Sequence, residues 1–246
     1  MKQKYFTVSL CALTDINGKT IYRSRYLSNV HIPELFAHLQ STTRRRIVLM
    51  GKSTFKALIR LAHARETLFV KDRLVLVVTK SKHDVCIPEG MAIIAIDSLS
   101  YLPQIWKILN EEERNLYTST YGLTFPVSEE EPTRHIPIIG PFTEHDIIVI
   151  GGKTLYNDML PYAKYIHQYR VYGDCIGETT FPILTDSEWS MSEPKAFHRE
   201  DDTKTPLFVY VHKKRIASPP KKLSAIQSTA QKPRVRKNGA VTKKNS

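Results

Sequence analysis

Apolar residues fall into two patterns along the chain. One is the short unbroken run: "RRIVLMG" (45–51), "DRLVLVVT" (72–79), "MAIIAI" (91–96) and "DIIVIGG" (146–152). Runs of that length without alternation predict strands buried on both faces. "KYFTVSLCAL" (4–13) is β-branched and aromatic, and predicts another strand. The other pattern is helical spacing. "IPELFAHLQSTT" (32–43) carries it, with Pro33 suited to a first turn. So does "KSTFKALIRLAHA" (52–64), with Phe55, Leu58 and Leu61 near one face. "SLSYLPQIWKILNEE" (98–112), with Ser98 as N-cap, and "KTLYNDMLPYA" (153–163) complete the set.

Unalternating strands that take turns with helices predict an α/β fold, a mostly parallel sheet with flanking helices on both faces. Near the end of the chain, "WSMSEPKAFHREDDTKTPLFVYVHKK" predicts two strands around a polar, acidic turn, closing as a C-terminal antiparallel hairpin. Residues 117–144 hold several prolines and little periodicity, and predict an irregular excursion. Residues 1–215 are expected to form one domain, followed by a tail over 216–246.

Charge sharpens that boundary. The net charge is +12, yet eleven of the 36 Lys and Arg lie from Lys213 onward, where no Asp or Glu occurs. The preceding residues are therefore close to neutral. The tail is too poor in large apolar side chains to offset the entropy of ordering, and is expected to be disordered. It reads either as a plain solvated extension or as a loose anchor to nucleic acid or another polyanion. No apolar run reaches the ~18–20 residues that span a bilayer, and the N-terminus has no secretory pattern. A soluble, cytoplasmic, monomeric protein without a membrane partner is expected. The three cysteines, Cys11, Cys86 and Cys175, form no CxxC pair, and no HxxxH pair exists, so neither a disulfide framework nor a metal site is expected.

Two strand ends share one grammar. "IVLMG-KSTF" ends on Gly51 and opens a helix with Lys-Ser-Thr, and "IIVIGG-KTLY" ends on Gly151-Gly152 and opens one with Lys-Thr. Glycine lets the backbone approach a ligand closely. The first amides of a helix lack intrahelical partners and suit phosphate. Each turn alone also fits plain strand-to-helix turn chemistry. Two together suit a ligand with two phosphate regions, one turn gripping each end of a dinucleotide. Neither GxGxxG nor GxxxxGK[ST] is present.

The order "IVLMGKSTF", "DRLVLVVTKS", "VIGGKTLYNDMLPYA", "GETTFP", then Trp and hairpin, resembles the dihydrofolate reductase family over about residues 5–215. The resemblance implies an eight-stranded, mostly parallel sheet, NADPH as cofactor and reduction of 7,8-dihydrofolate in tetrahydrofolate biosynthesis, within one-carbon metabolism. It assigns Gly51, Lys52, Ser53 and Thr54 to the first phosphate turn, with Lys52 toward the adenosine 2′-phosphate. Thr79, Lys80 and Ser81 would complete that pocket. Gly151, Gly152, Lys153, Thr154 and Leu155 would cradle the pyrophosphate, with Ala12 and Tyr156 also near the cofactor and Tyr156 on its nicotinamide side. For substrate it implies Glu34, Leu35, His38, Leu58, Arg73, Ile150 and Tyr156. Arg73 would pair with the glutamyl carboxylate, although a strand-start arginine also reads as a surface residue. Glu34 would be the buried catalytic acid, although a carboxylate in a first turn also simply complements the helix dipole. His38 stands where the family prefers an aromatic ring.

The loop "LTDINGKTIYRSRYLSNVHIPEL" lacks the family's tryptophan and keeps Asn17-Gly18 as a turn. "VSLCALTDINGKT" also resembles the same-fold reductase of riboflavin synthesis, which acts on a pyrimidine, although Cys11 falls where that relative has lysine. Two further readings therefore stay open. One is a reductase of that pyrimidine or another pteridine. The other is a weakly catalytic nucleotide-binding module tethered to nucleic acid by its tail.

Overall fold

The computed structural model describes residues 7–21, 33–44, 46–65, 73–81, 85, 92–105, 123–126, 133–136, 146–172, 177, 179–198, 204, 206–217, 220–222 and 226. The unbroken apolar runs form the strands β1 (Thr7–Thr14), β3 (Ile47–Gly51), β4 (Leu74–Val78), β5 (Ile93–Ile96) and β8 (Asp146–Gly151), with the two-residue β2 (Lys19–Thr20) after β1. β9 (Ala163–Val171) and β13 (Pro206–Arg215) are longer. Short strands β10 (Thr179–Thr180), β11 (Trp189–Met191) and β12 (Lys195–His198) complete the main sheet. Its principal path is β11-β13-β9-β1-β8-β3-β4-β5, eight strands, with β2, β10 and β12 off that path. From β9 to β5 every neighbouring pair is parallel, whereas β13 runs antiparallel to β9.

The helices are α1 (Pro33–Thr43), α2 (Lys52–Arg65) and α3 (Lys153–Met159). Strand residues alternate between two apolar layers. Val48, Met50, Val75 and Val77 meet Phe55 and Leu58 of α2, and Cys11 and Ile148 meet Leu35 of α1. Leu49, Val149, Leu10 and Leu76 face the other way and meet Leu155, Tyr156 and Met159 of α3. Two helices therefore cover one face and the third covers the other. Full burial on both faces is why these strands lack polar alternation.

Ser98 caps a single 3-10 turn, Leu99–Tyr101, and residues 102–105 continue helically. The rest of the helix expected over 98–112, like Leu61's expected packing, lies outside the described residues and side chains. The excursion expected over 117–144 is corrected in part: β6 (Leu123–Pro126) and β7 (Thr133–Ile136) pair as an antiparallel two-stranded sheet of their own. The C-terminal hairpin is more elaborate than expected, because β11 and β12 pair in turn with successive parts of β13. The Asn17-Gly18 turn is present, with Gly18 at φ 76° and Asp15 Oδ1 accepting the Asn17 and Lys19 amides.

Of the segment expected to be a disordered tail, the described residues touch the body. The Lys221 N–H donates to the Pro161 carbonyl at 3.0 Å, and Ile226 packs beside the cluster bordered by Leu160 and Tyr162. Among the described residues, no helix is long and apolar enough to cross a membrane, and no group of His, Cys, Asp and Glu is placed to hold a metal ion.

Candidate cofactor and substrate site

β3 and β8 are parallel neighbours, but they feed helices on opposite faces. Helices that diverge in this way leave a crevice at the carboxyl ends of the two strands, the general ligand position of open α/β sheets. Gly51 ends β3, Gly151 ends β8 and Gly152 is the N-cap of α3. Gly151 and Gly152 have φ of 148° and 95°, which other L-residues rarely adopt. A Cβ on Gly151 would lie 2.7 Å from Thr54 Oγ1, and one on Gly152 would lie 4.0 Å from Gly51 Cα. The two turns therefore touch. The two turns expected to hold the two ends of a dinucleotide thus form a single seam.

Donors surround the seam. No side chain caps the N-terminus of α3, and Lys153 and Thr154 are exposed there. Across it, Ser53 is exposed, Lys52 half-buried and Thr54 buried in the first turn of α2. One strand further, at the end of β4, Thr79 Oγ1 accepts the Ser81 N–H at 3.1 Å, which leaves Lys80 and Ser81 exposed at the edge of the same crevice.

A second feature lies between α1 and α2. Leu39 and Ile150 border the apolar clusters of both helices, so Ile150, directly before Gly151, stands where α1, α2 and the seam converge. Leu58 and Leu35 are buried nearby. At the other end of this region Arg73 is 7% exposed. Its Nε donates to Thr43 Oγ1 at 3.0 Å and Nη2 donates to the Gln40 carbonyl at 2.9 Å. Arg73 is thus no loose surface residue. It is fixed to the last turn of α1, about five residues and roughly 15 Å along the sheet from the glycines.

The remaining expected residues fall differently. Glu34 is exposed in the first turn of α1, while its neighbour Leu35 turns into the core. The buried setting expected for the acid is not supplied by the described residues. Tyr156 is buried, donates its hydroxyl to the Cys11 carbonyl at 2.8 Å and meets Phe181 edge-on at 4.9 Å. It therefore props β1 against α3 from inside. Ala12 is fully buried in β1. Burial pushes the Cys11 thiol up to about 12. His38 is half-buried, its Nδ1 2.9 Å from Tyr169 Oη and its ring 4.7 Å from that of Tyr210. Burial and the Lys195 charge lower its pKa below 6.5, so the ring is neutral at pH 7.

The dihydrofolate reductase family model matches residues 134–215. Over those residues, from β7 to the end of β13, the chain is similar to the dihydrofolate reductase family. Among solved structures the chain is similar to a dihydrofolate reductase from Enterococcus faecalis complexed with NADP(H) and RAB-propyl. That likeness has 16% identity and a TM-score of 0.49, over 86% of this chain and 99% of that one. No curated protein matches the chain.

The part matched to the dihydrofolate reductase family runs from β7 to the end of β13 and includes the Gly151–Tyr156 turn. The other half of the seam, the whole of α1 and Arg73 lie outside it, and the pairing of β3 with β8 and β4 brings them to the matched part. Sequence reasoning missed the polar residues that organise α1: Gln40, Thr42 and Thr43, which hold Arg73 and Tyr169. Their only signal was a pair of threonines at the C-terminal end of a helix, which reads as a weak stop.

Proposed function

We propose that this protein reduces 7,8-dihydrofolate to 5,6,7,8-tetrahydrofolate with NADPH. The observation that carries the reading is the glycine seam at the point where α2 and α3 diverge. The residues present fit a dinucleotide phosphate group. A Cβ at Gly151 would strike Thr54 and one at Gly152 would lie 4.0 Å from Gly51 Cα, so the glycines let the two strand ends meet, while uncapped amides open α3 and Lys52, Ser53, Lys153 and Thr154 add donors around them. Lys80 and Ser81 suit the adenosine end, where a cation favours a 2′-phosphate.

The chemistry NADPH supplies when bound is a hydride for pterin C6. The chain's own residues orient and shelter. Leu35, Leu39, Leu58 and Ile150 offer an apolar wall for a flat ring beside the seam. Arg73, held rigidly at the far end, suits a carboxylate roughly 15 Å away, which matches an elongated substrate with an anionic tail. Glu34 is the one carboxylate of α1, and in this reading it orients the water that delivers a proton to N5.

The test is loss of NADPH absorbance when dihydrofolate is added to the purified full chain. Steady oxidation dependent on dihydrofolate supports the reading. NADPH binding without turnover on dihydrofolate overturns it. Turnover on a ribosylamino-pyrimidine alone would keep the cofactor site and replace the substrate.

A further inference from the structure

β9 and β13 carry a line of imidazole and phenol groups that the proposed reaction does not use. His167 of β9 stands directly opposite His212 of β13 in the antiparallel register, and their rings lie 5.1 Å apart. His167 Nδ1 lies 2.8 Å from Tyr210 Oη, and the Tyr210 ring lies 4.7 Å from that of His38 on α1. His38 Nδ1 and Thr42 Oγ1 each lie 2.9 Å from Tyr169 Oη. The line therefore runs without a break from β13 to two positions on α1. Alternation along the strands places His167 on the face that α1 covers. Tyr169, two residues later, and Cys11, the partner of His167 on β1, pack in one cluster with Leu35 of α1.

We propose that this line is an acid-sensitive latch, which seats α1 on the sheet while His167 and His212 are neutral and releases α1 when they take up protons. Leu39 of α1 also packs against the cluster that Ile150 shares with α2. Release of α1 therefore loosens one wall of the crevice while the parallel strands stay folded.

Charge sets the direction. A buried imidazolium needs a counter-charge or water. The charges acting on His167 are His212, Arg46 and His38, and no carboxylate is among them. Lys195 of β12 acts on His38 in the same sense. The rest of this face supplies the phenols Tyr165, Tyr169 and Tyr210, the Cys11 thiol and one more cation, Lys214, opposite Tyr165. On α1 itself Glu34 stands exposed, one turn before His38. Burial lowers the pKa of His38, His167 and His212, that of His167 to about 3.

With α1 released, water reaches the rings and the ordinary value of 6.5 returns. The seated state is thus fully favoured above pH 6.5 and loses ground as pH falls toward 3. Restoring His167 alone lowers the ratio of seated to released α1 about thirtyfold between pH 7.5 and pH 5.

Native-state hydrogen exchange on the full chain, with no ligand, reads the latch. Amides in the last two turns of α1 are compared with those of β3, β4 and β8 at both pH values, after correction for the intrinsic pH dependence of exchange. The α1 amides are expected to exchange through an opening of their own, less protected than the strands, and to lose about thirtyfold in protection at pH 5. In His167→Gln/His212→Gln, where each glutamine can still hydrogen-bond a neighbouring hydroxyl, most of that loss is expected to vanish. Protection of α1 that does not change with pH overturns the latch. So does exchange of α1 only together with the strands, or an undiminished loss in the folded double variant. The wild-type chain gives a second reading that needs no variant. NMR titration of the His167 ring carbon and proton is expected to show a neutral ring down to pH 5, and a His167 midpoint near 6.5 in the folded chain overturns the proposal.

Discussion

Replacing Gly151 with alanine should damage the seam in a way that can be divided into two parts. The first is conformational. Alanine at φ 148° is strained, at about 1–3 kcal/mol for a non-glycine residue in a sparsely populated region. The second is steric. The new Cβ would stand 2.7 Å from Thr54 Oγ1, 3.0 Å from its Cγ2 and 3.4 Å from its Cβ. Thr54 is buried in the first turn of α2 and has little room to retreat, so overpacking adds about 1–3 kcal/mol. The total loss of stability, read by urea denaturation with two-state fitting, should be about 2–6 kcal/mol. Thr54→Ala removes the two nearest atoms and leaves the backbone alone. The double variant should therefore recover the steric share and keep the conformational one, a coupling of about 1–3 kcal/mol in a double-mutant cycle. A fully stable Gly151→Ala would show that the strand ends do not meet as described. A cycle with no coupling would show that Thr54 is not what the new methyl group strikes.

Three other outcomes follow from burial. Truncation after residue 215 should lower stability by about 1–3 kcal/mol, because Lys221 loses Pro161 and Ile226 loses its packing. His167, its pKa lowered from 6.5 to about 3 chiefly by burial, protonates more easily in the unfolded chain. Stability should be complete above pH 6.5 and fall toward pH 3. His167→Gln should reduce the slope of stability against pH there by about 1.4 kcal/mol per unit, and an unchanged slope would refute the burial. For Cys11, raised from 9.0 to about 12 by burial, the unfolded thiol ionises first. Stability should fall from pH 9 upward, and alkylation mapped by mass spectrometry should spare Cys11 until the chain unfolds.

The central strands were legible because their surroundings are uniform. "LVLVV" and "IIAI" meet apolar atoms on both faces, so composition alone announces them. Both glycine turns were legible as strand ends, since glycine between an apolar run and a helical pattern marks such a junction. What the sequence hid is lateral. That Gly51 and Gly151 touch depends on β8 lying between β1 and β3, an order that no local pattern records. Arg73 read equally well as a surface residue because its partners, Gln40 and Thr43, lie a helix and a strand away. Tyr156 was expected near the nicotinamide, yet its hydroxyl reaches Cys11 on a strand 145 residues earlier. Tyr169 reaches His38 and Thr42 on a helix far earlier in the chain, a pairing that no local pattern records. Glu34 shows another limit: its segment was read as a helix, which it is, but the burial that would make it an acid is tertiary and is not supplied by the described residues.

The central claim is that the seam of Gly51, Gly151 and Gly152 holds the phosphates of NADPH. Calorimetric titration of the purified full chain with NADPH tests it most directly, with Gly152→Val as control. The account predicts saturable binding at one site per chain, lost in Gly152→Val while that variant still melts cooperatively. Absence of heat and of any thermal shift with wild-type protein, or undiminished affinity in the folded valine variant, would contradict it.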